Sequence, residues 1–266
     1  MNPSLPRRFE RYVALGDSST EGLDDPDGQG GYRGWSRRLA HRMANDQGSL
    51  DYANLGVRGR TTREILEAQL APALALRPDL ATVFSGTNDV IARRFDRDAV
   101  ARDVESMQRA LIAGGAIVLT FTLPDLTPVM PIARCIAHRI RALNQTLCDV
   151  AARTGAIVID FAAYSLASDP RIWSADRIHV NSMGHVRIAD ALAHALELPG
   201  ADDSWSLPLP RLAPISRWEW LAAETRWTRV HLWPWIWRGL RSRHASPRRE
   251  GDTPTLQRLE PEPRAG

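Results

Sequence analysis

Four short segments of the 266-residue chain carry side chains that could act together on an acyl group. Gly16-Asp17-Ser18-Ser19 offers a hydroxyl nucleophile, and Asn54-Leu55-Gly56-Val57-Arg58-Gly59 ends on a glycine. Gly86-Thr87-Asn88-Asp89 offers a carboxamide, and Asp176-Arg177-Ile178-His179 an acid and an imidazole three residues apart. A serine hydroxyl is a poor nucleophile until a neighbouring imidazole takes its proton. His179 can do that, and Asp176 can orient the ring and stabilise the imidazolium. The tetrahedral oxyanion then needs donors placed where its charge develops. The Ser18 amide, the Gly59 amide and the Asn88 side chain are three candidates, each worth about 3 kcal/mol in the transition state. A glycine at position 59 leaves no Cβ in the way of a close approach.

Each segment alone is ambiguous. Gly-Asp-Ser makes ordinary turns, Ser18 alone could cap a helix, and His179 alone could be a satisfied loop histidine. Their placement joins them. Tyr12–Leu15, Tyr52–Leu55, Leu80–Phe84, Ile117–Phe121 and Ile157–Phe161 read as strands. Between them Trp35–Met43, Thr62–Leu70, Arg97–Ala113 and a segment reaching Arg153 read as helices, and Ser182–Leu196 is the last, capped by Asn181 or Ser182. Such alternation predicts a parallel sheet covered on both faces, a three-layer α/β/α fold. Sites in these folds form at the carboxyl ends of strands. The first three segments follow the first three strands, and the Asp/His pair lies between the fifth strand and the last helix.

Taken together, the segments resemble the signature blocks of the GDSL/SGNH hydrolase family, in order and spacing, over roughly Tyr12 to Leu196. Ser18, Gly59, Asn88 and His179 match its four named catalytic positions, and Asp176 its orienting acid. The run from Asp176 to His185 resembles its last block. Ser19 stands where the family usually has leucine, and Thr87 where a second glycine is common. The resemblance implies a flavodoxin-like α/β/α domain with a central parallel sheet of about five strands. It implies hydrolysis of a carboxylic ester through an acyl-enzyme, with no metal and no organic cofactor. The substrate class stays open between a small-molecule or lipid ester and an O-acetyl group on a carbohydrate. A reading from another class is a non-catalytic module that docks on a membrane or a partner and is built on a hydrolase-like domain.

Other features narrow the field. All 34 basic residues are arginine, so a lysine Schiff base and a P-loop are excluded. Before Gly200, 23 arginines face 23 acids, which leaves no nucleic-acid footprint there. The G-x-S-x-G elbow is absent, and Gly28–Gly34 does not fit G-x-G-x-x-G. That glycine cluster reads as a flexible loop, and Asp24, Asp25 and Asp27 as solvated. Asp17 reads as a structural turn acid, Asn54 as a brace, His185 as structural, and Asp89 as either a brace or a solvated acid. Arg58 and Arg60 could meet an anionic substrate group or be solvated. Cys135 and Cys148 read as buried free thiols. Met1–Tyr12 has no apolar core of a signal peptide, and no stretch is long and apolar enough to span a bilayer, so a cytoplasmic location is expected.

Residues 1–199 read as the hydrolase-like domain, 200–242 as a Trp/Arg-rich helical extension and 243–266 as a disordered tail. Seven of the nine tryptophans lie between Trp205 and Trp237, and after Gly200 11 arginines face 8 acids. Pro214–Val230 could be helical, with Ile215, Trp218, Leu221, Ala222 and Thr225 on one face. Tryptophan with arginine suits peripheral contact with a membrane. Alternatively the rings pack back on the domain and wall the acyl pocket.

Overall fold

The computed structural model describes residues 8–211, 216–234, 237, 251 and 253–261. The apolar run Arg11–Gly16 is strand β1, buried from Tyr12 onward. It lies between β2 (Leu50–Asn54) and β3 (Leu80–Phe84), and the sheet continues through β4 (Ile117–Phe121) and β5 (Ile157–Ile159). These five strands are parallel. The unbroken apolar character of β1 and β3 reflects cover on both faces. Helices α2 (Gly34–Gln47) and α7 (Ser182–Ala195) pack together on one face. On the other face are α3 (Thr62–Ala75), α5 (Arg97–Ala113) and α6 (Ala137–Thr154). Two short helices, α1 (Ser18–Glu21) and α4 (Thr87–Ile91), follow β1 and β3. The strand order is β5-β4-β3-β1-β2, with a sixth strand, β6 (Thr253–Leu259), beyond β2. The chain steps from β1 to β2 on one side and then crosses to β3 on the other, which opens a crevice at the carboxyl ends of β1 and β3. The three-layer, flavodoxin-like expectation holds.

The sheet has six strands rather than about five. β6 (Thr253–Leu259) runs antiparallel to β2, pairing Leu259 with Leu50 and Asn54 with Thr253 across an irregularity between Tyr52 and Asn54. Arg258 bonds to Asp51 at 3.1 Å and fixes the register. The expectation of disorder across 243–266 therefore fails for 253–259, while 243–250 lie outside the described residues. The polar, proline-containing Thr-Pro-Thr-Leu-Gln-Arg-Leu hides the strand. Edge strands tolerate both features, because one side of the ladder faces water.

The boundary at 199–200 is also not where packing ends. Trp205 is buried in the main core against Phe161 and Tyr164, and its indole N–H donates to His194 Nδ1 at 3.1 Å. Beyond it, α8 (Arg217–Trp227) begins at a Ser216/Glu219 capping box and passes into a π-helical turn, Thr228–Leu232. The face expected to be apolar is solvent-exposed at Trp218, Leu221, Ala222 and Thr225, and Ile215 lies outside the described residues. The helix instead rests on the domain through Trp227, which is buried.

Two further expectations change. Asp25 is not solvated: it is buried, grips Arg38 through two bonds of 2.7 and 2.9 Å, and accepts the Gly34 amide at the start of α2. Asp27 accepts two amides of the Gly28–Gly31 turn, leaving only Asp24 exposed. These bonds tie both ends of the loop, and Gly22 and Gly34 meet so closely that a Cβ on either would strike the other's backbone. Cys135 is exposed rather than buried.

Candidate active site

The Ser18 segment is built by the exit from β1. Asp17 caps α1 by accepting the Ser19 amide at 3.0 Å, so Ser18 is the first residue of that helix, where an amide has no intrahelical acceptor. Asn54 holds the segment from beneath, donating to the Thr20 carbonyl at 2.7 Å and accepting the Gly56 amide. The unusual Ser19 has a local reason. The fully buried indole of Trp35 needs an acceptor, and Ser19 Oγ supplies it at 3.3 Å.

The acid and imidazole come from the loop before α7. Asp176 Oδ1 accepts the Ile178 and His179 amides at 2.9 and 3.1 Å, and Ser174 donates its amide to the His179 carbonyl at 2.8 Å. Asn181 then caps α7 through the Gly184 amide, settling the choice between Asn181 and Ser182. Across this turn His179 Nδ1 lies 2.7 Å from Asp176 Oδ2, and His179 Nε2 lies 2.9 Å from Ser18 Oγ. An ionised carboxylate only accepts, so the Nδ1–H donates to Asp176 and Nε2 is left to accept the serine proton. Ser18, His179 and Asp176, singled out from the sequence, are thus brought together within hydrogen-bonding distance.

Charge supports the same reading. Burial opposes ionisation of Asp176, but its bonds to His179 and to two amides outweigh this and hold its carboxyl below the usual range. Burial likewise pulls His179 down, yet Asp176, with smaller help from Asp24 and Asp17, leaves it above an ordinary imidazole. Asp24, Asp176 and His179 have potential ligand atoms within 4.8 Å of one another, but two of the three already hold each other.

The expected oxyanion donors fare unevenly. Gly59 adopts φ +81°, and an added Cβ would meet nothing within 4 Å, so its backbone conformation rather than close approach explains the glycine. Asn88 Nδ2 gives its two hydrogens to Asp17 Oδ2 at 3.2 Å and the Arg60 carbonyl at 3.0 Å. It must exchange one of these to meet an oxyanion. Asp17 is pushed up to about 6 by burial, eased by the Ser19 amide. Asp89 braces the start of α3 through the Thr62 amide and hydroxyl, both at 2.9 Å. Arg58 is committed to Glu21 and Arg60 to Glu64, so neither is a free anion receptor. His185 is structural, accepting the Trp35 amide at 3.1 Å and donating to the Leu23 carbonyl at 2.9 Å.

From Ser18 and His179 a narrow cavity of about 80 Å³ runs into the protein, lined by Phe84, Phe121, Leu123, Phe161, Ile172 and Trp205. Its aromatic wall is continuous. Phe84 stacks on Phe121 at 4.0 Å, Phe121 meets Phe161 edge-on at 5.4 Å, and Phe161 meets Trp205 at 5.5 Å. Sequence reading named the strands that end at Phe84, Phe121 and Phe161 but not this wall. One aromatic at the carboxyl end of each of β3 and β4, and a third just beyond β5, is the signal that would have found it.

The other unforeseen contacts come from α8. Trp227 donates its indole N–H to the Asp176 carbonyl at 3.2 Å. Arg177, in a left-handed conformation at φ +62°, pairs with Glu224 at 2.7 and 2.9 Å and lies 4.7 Å over the Trp227 ring. A non-glycine residue there costs about 1 kcal/mol, and the clamp on Arg177 offsets it.

A family model for the GDSL-like lipase/acylhydrolase family matches residues 14–187. The chain belongs to this family. Solved structures with the same fold include TesA, at 23% identity and TM-score 0.59, covering 71% of this chain and 98% of that one. A lipase/acylhydrolase from Enterococcus faecalis is similar at 22% identity and TM-score 0.59, covering 71% and 95%. A catalytic mutant of Axe2, an acetylxylan esterase from Geobacillus stearothermophilus, is similar at 16% identity and TM-score 0.60, covering 78% and 100%. No curated protein matches the chain. Both β6 and the clamp from α8 lie outside the residues that the GDSL-like family model matches.

Proposed function

We propose that this GDSL-like protein hydrolyses carboxylic esters through an acyl-enzyme on Ser18. The observation that carries the reading is the unbroken relay from Ser18 Oγ to His179 to Asp176 at the mouth of an apolar cavity. His179 takes the serine proton as Oγ attacks the ester carbonyl, and returns it to the departing alcohol. Water then attacks the acyl-serine by the same route. The Ser18 amide, the Gly59 amide and an exchanged Asn88 hold the oxyanion. The alternative acyl group, a carbohydrate acetate, leaves the aromatic wall without a purpose. A cavity of about 150 Å³ holds benzene, so the lined space of about 80 Å³ here suits a short acyl chain rather than a long one.

Purified protein assayed on p-nitrophenyl esters of increasing acyl length should turn over, with kcat/KM rising beyond acetate to an optimum near butyrate. A serine-reactive phosphonate should label Ser18. No turnover at any length together with no labelling would leave the docking-module reading in its place.

Trp205 and Tyr164 stand between this cavity and a second one lined by Val158, Ala191 and Leu198. Trp205→Leu is therefore expected to join the two and move the optimum to longer chains. Each extra methylene buried adds about 0.8 kcal/mol, a roughly fourfold gain in kcat/KM per carbon. An unchanged chain-length profile in a folded variant would remove Trp205 as the end wall.

A further inference from the structure

Among the described residues, helix α8 bonds to the domain through Glu224 and Trp227. Glu224 and Trp227 make the contacts with the catalytic loop, and every other residue from Arg217 to Arg226 is exposed. What it shows to solvent is unusual for a surface helix. Trp218 is 81% exposed, and Trp220, Leu221, Val230 and Trp233 are also among the exposed large apolar residues. Such rings on a soluble surface mark a contact site. No helix among the described residues is long and apolar enough to cross a membrane, so the surface would lie on one rather than span it.

The charge of the same stretch says what it meets. From Arg217 to Leu232 three arginines face two acids, and five more arginines with no acid follow in the sequence between 238 and 249, whereas the whole chain carries a formal net charge of only +3. Arginine favours anionic headgroups, and tryptophan the zone where headgroup gives way to acyl chain. We propose that α8 and the π-helical turn after it are the docking surface for an anionic phospholipid bilayer. Docking there sets the Asp176–His179 loop beside the bilayer, because Trp227 and Glu224 hold that loop to the helix. The proposal does not rest on the esterase reading, and its test needs no turnover.

The full chain is mixed with vesicles of phosphatidylcholine alone, and with vesicles containing about 30 mol% phosphatidylglycerol, and then sedimented. The protein should pellet with the anionic vesicles only, and high salt should release most of it. The double variant Trp218→Ser, Trp233→Ser should weaken binding about tenfold or more while keeping the wild-type circular dichroism and Tm. Absence of binding to either vesicle, or equal binding of the double variant, overturns the proposal. So does a wild-type dimer in solution that the double variant abolishes, since the surface would then be covered by a second copy.

Discussion

Ser18→Ala should remove turnover on every ester that the wild-type protein accepts, lowering kcat by about a hundred-thousand-fold or more. The side chain has one partner in the resting site, His179 Nε2 at 2.9 Å, and contributes nothing to the local fold that alanine would not. Asp17 still caps α1 through the Ser19 amide, and Asn54 still grips the Thr20 carbonyl. Tm and circular dichroism should therefore stay at wild-type values while phosphonate labelling disappears. Because the donors around the oxyanion survive, a residue of water-driven hydrolysis on the order of a thousandfold above background should remain. Wild-type turnover in Ser18→Ala would overturn the assignment of the nucleophile.

Asp176→Asn should cost about ten-thousandfold in kcat by a different route. Asparagine keeps the volume and can still accept the Ile178 and His179 amides, so the turn stays closed. Its NH₂ group, however, can donate to His179 Nδ1. That moves the ring proton to Nε2 and leaves nothing to accept the Ser18 hydrogen. The pH profile separates this from simple misfolding. Activity requires neutral His179, so it falls as pH drops through the imidazole pKa. In the wild type that pKa is raised, burial being outweighed by Asp176, and the acid limb should begin above the ordinary histidine value. Without the carboxylate, burial is left to pull the ring down, and the limb should move to lower pH. The pair's contribution to stability has its own window. It is fully present below the unfolded imidazole value and above the unfolded carboxylate value, so the loss of Tm in Asp176→Asn should be greatest at about pH 5. A limb that does not move would show that Asp176 does not control the ring.

The core of the fold and the juxtaposed Asp176 and His179 were legible because both are written locally. Leu80–Phe84 is a run that only a doubly covered strand explains, and Asp176-x-x-His179 is a turn whose first residue accepts the amide of its last. What could not be read depended on partners far away in the chain. Trp205 looked like one of a crowd of C-terminal tryptophans, and its place in the wall of the aromatic cavity is decided by Phe161 and Tyr164. Asp25 looked like one of three loop acids, and only Arg38 and the start of α2 distinguish it. Asn88 lies beside Asp17, and its hold on Asp17 and Arg60 shows that its type does not determine where it points. β6 was missed because an edge strand needs to satisfy one neighbour alone, and its pattern is correspondingly weak.

The pairing of β6 with β2 also sets a clock on synthesis. Leu50–Asn54 leaves the ribosome about 200 residues before its partner strand, and at 5–20 residues per second that edge waits on the order of 10 to 40 s. Throughout that interval the apolar Tyr52 and Ala53 lie in a strand with one free row of amides and carbonyls, which any neighbouring nascent chain can match. Anything that delays or masks residues 253–259, such as a stalled ribosome or a bulky fusion placed against them, prolongs that exposure. Delayed pairing of these seven residues, which do not line the cavity beside Ser18, is therefore expected to lower the yield of soluble protein.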